Sequence, residues 1–164
     1  MKESKWCIKL LKFINKYPLV KDLKSFITNL NLFVVQDLSL RGLSYIEIPK
    51  KRNSQYKWRV IVNQELWKEL EGSFNSFNFR QETDFQAFVF CQVANSKYAI
   101  LKIPASSSHI GFIIIPMNDE MGEFTTFFGQ MASLVEGKLL NFKEWGEFND
   151  YKELIFKDDV TSLF

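Results

Sequence analysis

Apolar residues recur at helical spacing near the amino terminus, and lysines occupy a different face of the same predicted helix. The pattern predicts an amphipathic helix that buries one stripe on its own domain. A basic helix that lies on an anionic membrane is the alternative interpretation. The apolar stripe contains Trp6, Leu10, Phe13, Ile14 and Tyr17, and the basic face contains Lys2, Lys5, Lys9, Lys12 and Lys16. After Pro18, Leu19–Leu30 repeats the helical pattern, with Asn29 and Asn31 as end signals.

Strand patterns follow the two predicted helices. Leu32–Leu38 and Leu43–Ile48 are predicted as the first two strands, joined by a turn around Arg41 and Gly42. Lys57–Val62 alternates between apolar and basic positions, which is typical of a half-buried strand near a sheet edge.

A short helix and an irregular aromatic segment are predicted next. Gln64–Glu71 has the helical pattern, and Gly72 is expected to end it. Its inward residues are predicted to be Leu66, Trp67 and Leu70. Gly72–Phe85 is polar but contains four phenylalanines. We interpret this segment as a loop that anchors itself on a sheet face, and the alternative is a lid over a small-molecule pocket.

Three further strands are predicted at Gln86–Val93, Lys97–Ile103 and Ile110–Ile115. In Ala87–Cys91 and in Ile110–Ile115 both alternating faces are apolar. Strands of this kind sit centrally in a sheet and are covered on both sides. One cover is expected to be the helix layer and the other a loop layer, and a ligand cavity would lie between sheet and loops.

A long helix is predicted from about Gly122, with an apolar stripe that continues past the length needed to cover one sheet. Large apolar side chains left in water would forfeit about 1.5–3 kcal/mol each. The stripe therefore predicts that the helix packs first on its own sheet and then on a second copy of the chain, as a homodimer. The candidate interface residues are Phe128, Met131, Val135, Phe142, Trp145 and Phe148.

The order of elements predicts an α/β (α+β) domain and resembles that of a GAF domain. Ala99–Pro104 is similar to the GAF strand that ends in a hydrophobic residue and proline, Gly111–Ile115 to the following strand, and Phe124–Leu140 to the exit helix. The resemblance implies a central antiparallel sheet of five or six strands, with the first and last helices on one face. A PAS domain, with two strands, then helices, then three strands and no helical pair in front, fits less well.

The final residues, Asp158–Phe164, resemble the opening of a GGDEF-family diguanylate cyclase domain, which commonly reads Asp-x-Leu-Thr-Gly-Leu. Val160 and Ser162 depart from that pattern. The resemblance implies a sensory domain over residues 1–148, and a linker with the first cyclase residues over 149–164. It also implies that the chain regulates cyclic di-GMP synthesis in a bacterial signalling protein, with GTP and magnesium bound only by the cyclase domain that would follow.

Composition fits one such domain. The 164 residues are 46% hydrophobic, enough for a single core. A formal net charge of +2 argues against a general nucleic-acid binder. No apolar run approaches the roughly 20 residues of a transmembrane segment. No signal peptide is visible, and two cysteines are too few for a disulfide framework, so a cytoplasmic location is expected.

The sequence offers no residues for catalysis, and no enzymatic activity is expected from these 164 residues alone. His109 is the only histidine, and nothing supports haem ligation or bilin attachment. Cys7 and Cys91 lack a metal-ligand spacing, and the ligand identity is unknown. Two function classes stay open: a sensor that binds a small molecule, and a ligand-free scaffold that dimerises and holds two cyclase domains together. A core filled by its own phenylalanines would favour the scaffold.

Overall fold

The structure is a computed structural model that describes residues 2–17, 20, 22–50, 58–75, 77–79, 87–104, 108–118 and 122–139. In chain order the elements are α1 (Lys2–Asn15), α2 (Leu23–Gln36), β1 (Ser44–Pro49), β2 (Arg59–Val62), α3 (Gln64–Phe74), β3 (Phe88–Val93), β4 (Ser96–Pro104) and β5 (His109–Pro116). Residues 125–139 form a further helix, α4. The chain therefore has an α+β fold.

The strands form one five-stranded antiparallel sheet in the order β2-β1-β5-β4-β3. The strand β5 lies at the centre and pairs with both β1 and β4. A two-residue turn joins β3 to β4, and Ala94 and Asn95 have φ values of 50° and 67°. Two successive left-handed residues are what a type I′ hairpin turn requires. The predicted antiparallel sheet of five or six strands is confirmed, and it has five strands.

Three helices cover one face of the sheet. The helices α1 and α2 run antiparallel, since Phe13 stacks on Phe33 at 4.9 Å between ring centroids and Lys9 Nζ donates to the Asp37 carbonyl oxygen at 2.9 Å. The helix α4 shares their hydrophobic cluster. The expectation that the first and last helices lie on the same face is confirmed. The buried side chains of this cluster include Leu10, Ile27, Leu30, Tyr45, Leu101, Ile113, Phe127 and Met131.

The opposite face is covered by α3 and by the segment that follows it. Leu66, Trp67 and Leu70 point inward as predicted. Phe74 and Phe79 are buried with them, and the Phe79 ring lies 5.1 Å from that of Phe112 on β5. The aromatic segment therefore anchors on the sheet, as interpreted, over the residues that the structure describes; Phe85 lies outside them. The second cover of the sheet, predicted to be a layer of loops, thus consists in part of the helix α3.

Residues 32–36, predicted to begin a strand, instead complete α2. Leu30, Phe33 and Val34 continue the buried helical stripe that Phe26 and Ile27 begin. Asn31 does not end the helix, because its side chain serves a tertiary role. Its Oδ1 accepts hydrogen bonds from the Leu43 backbone N at 2.8 Å and from Asn63 Nδ2 at 3.3 Å.

Two smaller predictions were also wrong. Gly72 does not end α3, which continues to Phe74 because that phenylalanine is buried on the same helical face as Leu70. The strand β3 is not central but terminal in the sheet. Its side chains on both faces are mostly half-buried, since the strand still packs against cover on each side.

Polar side chains connect α2, β1 and α3 at one end of the sheet. Gly42 has φ of 127°, and a Cβ there would lie 2.8 Å from Asn31 Oδ1. Asn63 adopts a left-handed conformation, with φ of 60°, and its side chain accepts from the Leu66 backbone N to cap α3. These contacts fix where β1 starts and where β2 passes into α3.

Gly111 and Gly72 make a matched pair for a test of packing. A Cβ at Gly111 would lie 2.6 Å from ring atoms of Tyr45, whereas at Gly72 it would meet nothing within 4 Å. We expect Gly111→Ala to lower the free energy of unfolding by about 1–3 kcal/mol. Gly72→Ala should raise it by about 0.5–1 kcal/mol, because alanine favours a helix interior. Urea unfolding measures both, and a neutral Gly111→Ala would contradict the close approach of Tyr45.

Candidate functional site

The first helix and the last helix meet at one contact. Glu3 Oε1 accepts a hydrogen bond from the Phe127 backbone N at 3.1 Å, in the first turn of α4. The Trp6 ring packs edge-on against Phe124 at 5.1 Å and Phe127 at 5.2 Å. We call Glu3, Trp6, Phe124 and Phe127 the α1–α4 contact. A carboxylate at a helix amino terminus satisfies a free N–H and complements the helix dipole, so Glu3 stabilises the start of α4.

The helix α4 is also held by the sheet. Phe128 packs edge-on against Phe90 of β3 at 5.6 Å between ring centroids. One turn of the helix lies close to Phe88, since a Cβ at Gly129 would be 3.3 Å from that ring. Glu123, just before α4, forms an exposed ion pair with Lys97 of β4 at 3.2 Å. Exposed pairs of this kind contribute little energy, so the apolar contacts dominate.

The structure places half of the predicted interface residues inside the domain. Phe128, Met131 and Val135 are all 0% exposed and belong to the core cluster shared with α1 and α2. Their side chains are thus already covered within one copy of the chain, because the whole described part of α4 serves as a cover for the sheet. The other three candidates, Phe142, Trp145 and Phe148, lie outside the described residues.

A buried carboxylate on β1 is a second candidate. Glu47 is 5% exposed and directed to the helix-covered face, like Tyr45 two residues earlier. Tyr45 Oη donates to Glu47 Oε2 at 3.0 Å, and Arg59 of β2 forms an ion pair with Glu47 Oε1. Gly111, opposite Glu47 in the sheet, leaves space for the Tyr45 ring. Both carboxylate oxygens therefore have a donor.

The electrostatics of this group favour a structural role. Burial, reinforced by the negative charge of Glu47, raises the pKa of Tyr45 far above its ordinary value. The phenol therefore remains a hydrogen-bond donor and does not act as a base near neutral pH. The side chain of Arg59 is 63% exposed, which leaves one side of the group in contact with solvent. Sequence reasoning missed this group, although an acidic residue at an inward-facing position of an apolar strand was a signal for it.

One buried polar atom in the described residues lacks a hydrogen-bond partner, namely Nε1 of Trp67. Trp67 is 2% exposed and belongs to the cluster between α3 and the sheet. Its ring packs edge-on against Trp58 at 5.2 Å and stacks on Phe74 at 5.7 Å. A buried donor without an acceptor costs about 1–3 kcal/mol, which makes this position the most unusual in that cluster.

The two cysteines and the histidine lie on three different elements, α1, β3 and β5. Cys7 lies on α1 and Cys91 in the cluster on the opposite face of the sheet. Burial, followed by the charge of Glu3, raises the pKa of Cys7, so its thiolate is disfavoured. His109 Nδ1 lies 2.8 Å from Ser108 Oγ at the start of β5. Within the described part of the chain, no three His, Cys, Asp or Glu side chains are grouped as metal ligands.

Comparisons with protein-family models, with curated proteins and with solved structures give no match for this chain. Among the described residues, no helix has both the length and the apolar character to cross a membrane.

Tyr45→Phe tests the buried carboxylate group. Removal of the hydroxyl leaves Glu47 Oε2 without its donor, so we expect the free energy of unfolding to fall by about 1–3 kcal/mol. Tyr17→Phe, which also removes one hydroxyl, should change it by less than about 0.5 kcal/mol. Urea unfolding at neutral pH compares the two variants. Equal effects would show that the Tyr45–Glu47 hydrogen bond is not formed.

The same pair has a pH signature. Above pH about 10 the phenol of Tyr45 ionises in the unfolded chain but stays protonated in the folded one, because its folded pKa is raised. The unfolded state is then favoured as the pH rises. Wild-type stability should fall more steeply above pH about 10 than that of Tyr45→Phe.

Proposed function

We propose that the chain is a regulatory domain whose output is α4. Along the sequence, α4 leads to residues 158–164, which resemble the opening of a GGDEF-family cyclase domain. The observation that carries the proposal is the α1–α4 contact, which ties the start of the exit helix to the first helix. The domain controls a diguanylate cyclase that follows it and has no catalytic activity of its own. GTP and magnesium belong to that cyclase domain.

The packing explains how a change in the domain reaches the exit helix. Glu3 holds the first turn of α4, while Phe128 holds the helix on β3 through Phe90. Packed interfaces of this kind switch between discrete arrangements and do not deform continuously. A shift of α1 or of the β3 edge therefore moves α4 as a body. This movement of α4 would be transmitted to a cyclase domain that follows it.

The interior favours the ligand-free scaffold over the small-molecule sensor. On the α3 face, Phe79 stacks on Phe74 at 5.5 Å, and its ring lies 5.1 Å from that of Phe112. The chain thus fills with its own side chains the region where a ligand was expected. We propose that the domain acts as a homodimeric scaffold that holds two cyclase domains together. Because Phe128, Met131 and Val135 are already buried, the proposed dimer uses other residues, and Phe142, Trp145 and Phe148 stay candidates.

The order of elements supports a PAS-like domain as well as a GAF-like one. Two strands, one helix and three strands follow one another in the structure, which is the order expected of a PAS domain. The helical pair in front, packed with the last helix on one sheet face, is the feature expected of a GAF domain. Both kinds of domain regulate cyclases, so the proposed role is the same for either.

A chimera tests the coupling. An active GGDEF catalytic domain is joined in place of residues 158–164, and cyclic di-GMP formation from GTP is measured. We expect Glu3→Ala to change the rate by about three- to tenfold, because the first turn of α4 loses a charged cap that contributes about 1 kcal/mol. The matched control is Glu71→Ala, at an exposed position of α3. The 164 residues alone should form no cyclic di-GMP, and equal rates for both chimeras would refute the coupling.

The small-ligand sensor is the second candidate, and Trp67 favours it. Its buried N–H would be satisfied by a small apolar molecule that carries one hydrogen-bond acceptor. Such a molecule would contact Trp58 and Phe74 beside the indole. A water molecule fits less well, since buried waters need two to four polar partners and the neighbouring side chains are apolar.

Native mass spectrometry of the purified chain separates the two candidates. The scaffold proposal expects a dimer with no retained small molecule. A retained molecule that is lost in Trp67→Phe but kept in Trp58→Phe would show that the sensor is correct. The two variants make the same change on neighbouring rings, and Trp67 is the one of the two whose buried N–H lacks a partner.

A further inference from the structure

The large apolar side chains that the described fold leaves exposed all lie on α1 and α2. Ile8 and Leu11 are 54% and 41% exposed, and Leu32 and Val35 are 46% and 40% exposed. No described large apolar residue of α3, α4 or the sheet is exposed to this degree. Scattered exposed apolar residues are ordinary, but four on one helical pair form a patch that needs an explanation.

The four residues share the outer side of the helical pair. In α1 the buried residues Trp6, Leu10 and Phe13 face the sheet, and at 100° per residue Ile8 and Leu11 point away from them. The contacts of Phe13 with Phe33 and of Lys9 with Asp37 align the antiparallel helices. That alignment brings Leu11 level with Val35, with Ile8 and Leu32 about one helical turn to either side.

Lysines surround this apolar patch. Residues 2–16 contain five lysines and one acidic residue, and all five lysines are exposed. On the opposite side of the molecule, α3 carries Glu65, Glu69 and Glu71 against a single Lys68. The charge is therefore unevenly distributed although the net charge is only +2: one side of the molecule, at α1, is basic, and the other, at α3, is acidic. We call Ile8, Leu11, Leu32, Val35 and the five lysines of α1 the basic helical surface.

We propose that the basic helical surface docks on an anionic lipid bilayer. The four apolar side chains enter the boundary between headgroups and acyl chains, and the lysines extend to the lipid phosphates. Each lysine near such a surface contributes through its attraction to anionic lipid. The helices lie in the plane of the interface and the domain stays folded, because the stripe of α1 that faces the sheet is not needed for docking.

Charge decides between a membrane and a second copy of the chain. Two basic helical surfaces placed face to face would bring ten lysines together, and like charges across an interface oppose association. An anionic bilayer instead complements every one of them. Docking is tested apart from the proposed regulatory role, since the exposed side chains Ile8, Leu11, Lys5 and Lys12 are not among the residues of the α1–α4 contact.

The test is cosedimentation of the 164-residue chain with pure phosphatidylglycerol vesicles and with pure phosphatidylcholine vesicles. We expect binding to phosphatidylglycerol alone, and weaker binding at high salt because the attraction is screened. The double variant Lys5→Gln and Lys12→Gln should lower the partition coefficient about 25-fold, at about fivefold for each lysine. The matched control Lys68→Gln on α3 should leave it unchanged.

A second double variant, Ile8→Ser and Leu11→Ser, should lower the partition coefficient at least tenfold. All the substituted side chains are exposed, so unchanged thermal unfolding verifies that the fold is intact. Equal binding to both lipids, no binding to either, or equal loss in Lys68→Gln would overturn the proposal. Light scattering that shows a dimer dissociated by Ile8→Ser and Leu11→Ser, without lipid binding, would assign the surface to a second copy.

Discussion

The two-sided burial of the central strands is the constraint on which the rest of the fold depends. In β5, Phe112, Ile113, Ile114 and Ile115 are all 0% exposed. Successive strand residues point to opposite faces, so each face of the sheet needs its own apolar cover. Burial of each such side chain contributes about 1.5–3 kcal/mol. The helices α1, α2 and α4 supply one cover, and α3 with Phe77–Phe79 supplies the other.

This constraint makes α4 a part of the core and not an appended linker. Separation of α4 from the sheet would expose Phe127, Phe128 and Met131, each now fully buried. That cost is comparable with the total stability of a domain of this size. A signal of the kind proposed would therefore have to shift α4 along its contacts and could not detach it. The hydrogen bond from Phe127 to Glu3 is suited to such a shift, because it lies at the edge of the buried cluster.

The sequence predicted the elements whose patterns are set by burial, and failed where a tertiary contact decided. Strands β4 and β5 alternate or are apolar throughout, and both were placed within one or two residues. The end of α2 was misplaced because Asn31 is a common stop signal. Here its side chain instead accepts a hydrogen bond from the start of β1, a partner that no local pattern indicates. The position of β3 at the sheet edge was equally hidden, since its apolar faces reflect cover from helices and not its neighbours in the sheet.

The functional groups were harder to predict, for a related reason. Glu3 and Glu47 are single carboxylates without motif or spacing, and each acquires its role from a partner far along the chain or across the sheet. Prediction from the sequence was limited in the same way for the two sides of α1. Five apolar residues on one side dominate the helical periodicity, so Ile8 and Leu11 were not separated from an ordinary solvated face. Only the packing of Trp6 and Leu10 against the domain shows which apolar stripe of α1 is buried. The second stripe, among lysines, is then the one that stays exposed in the described fold.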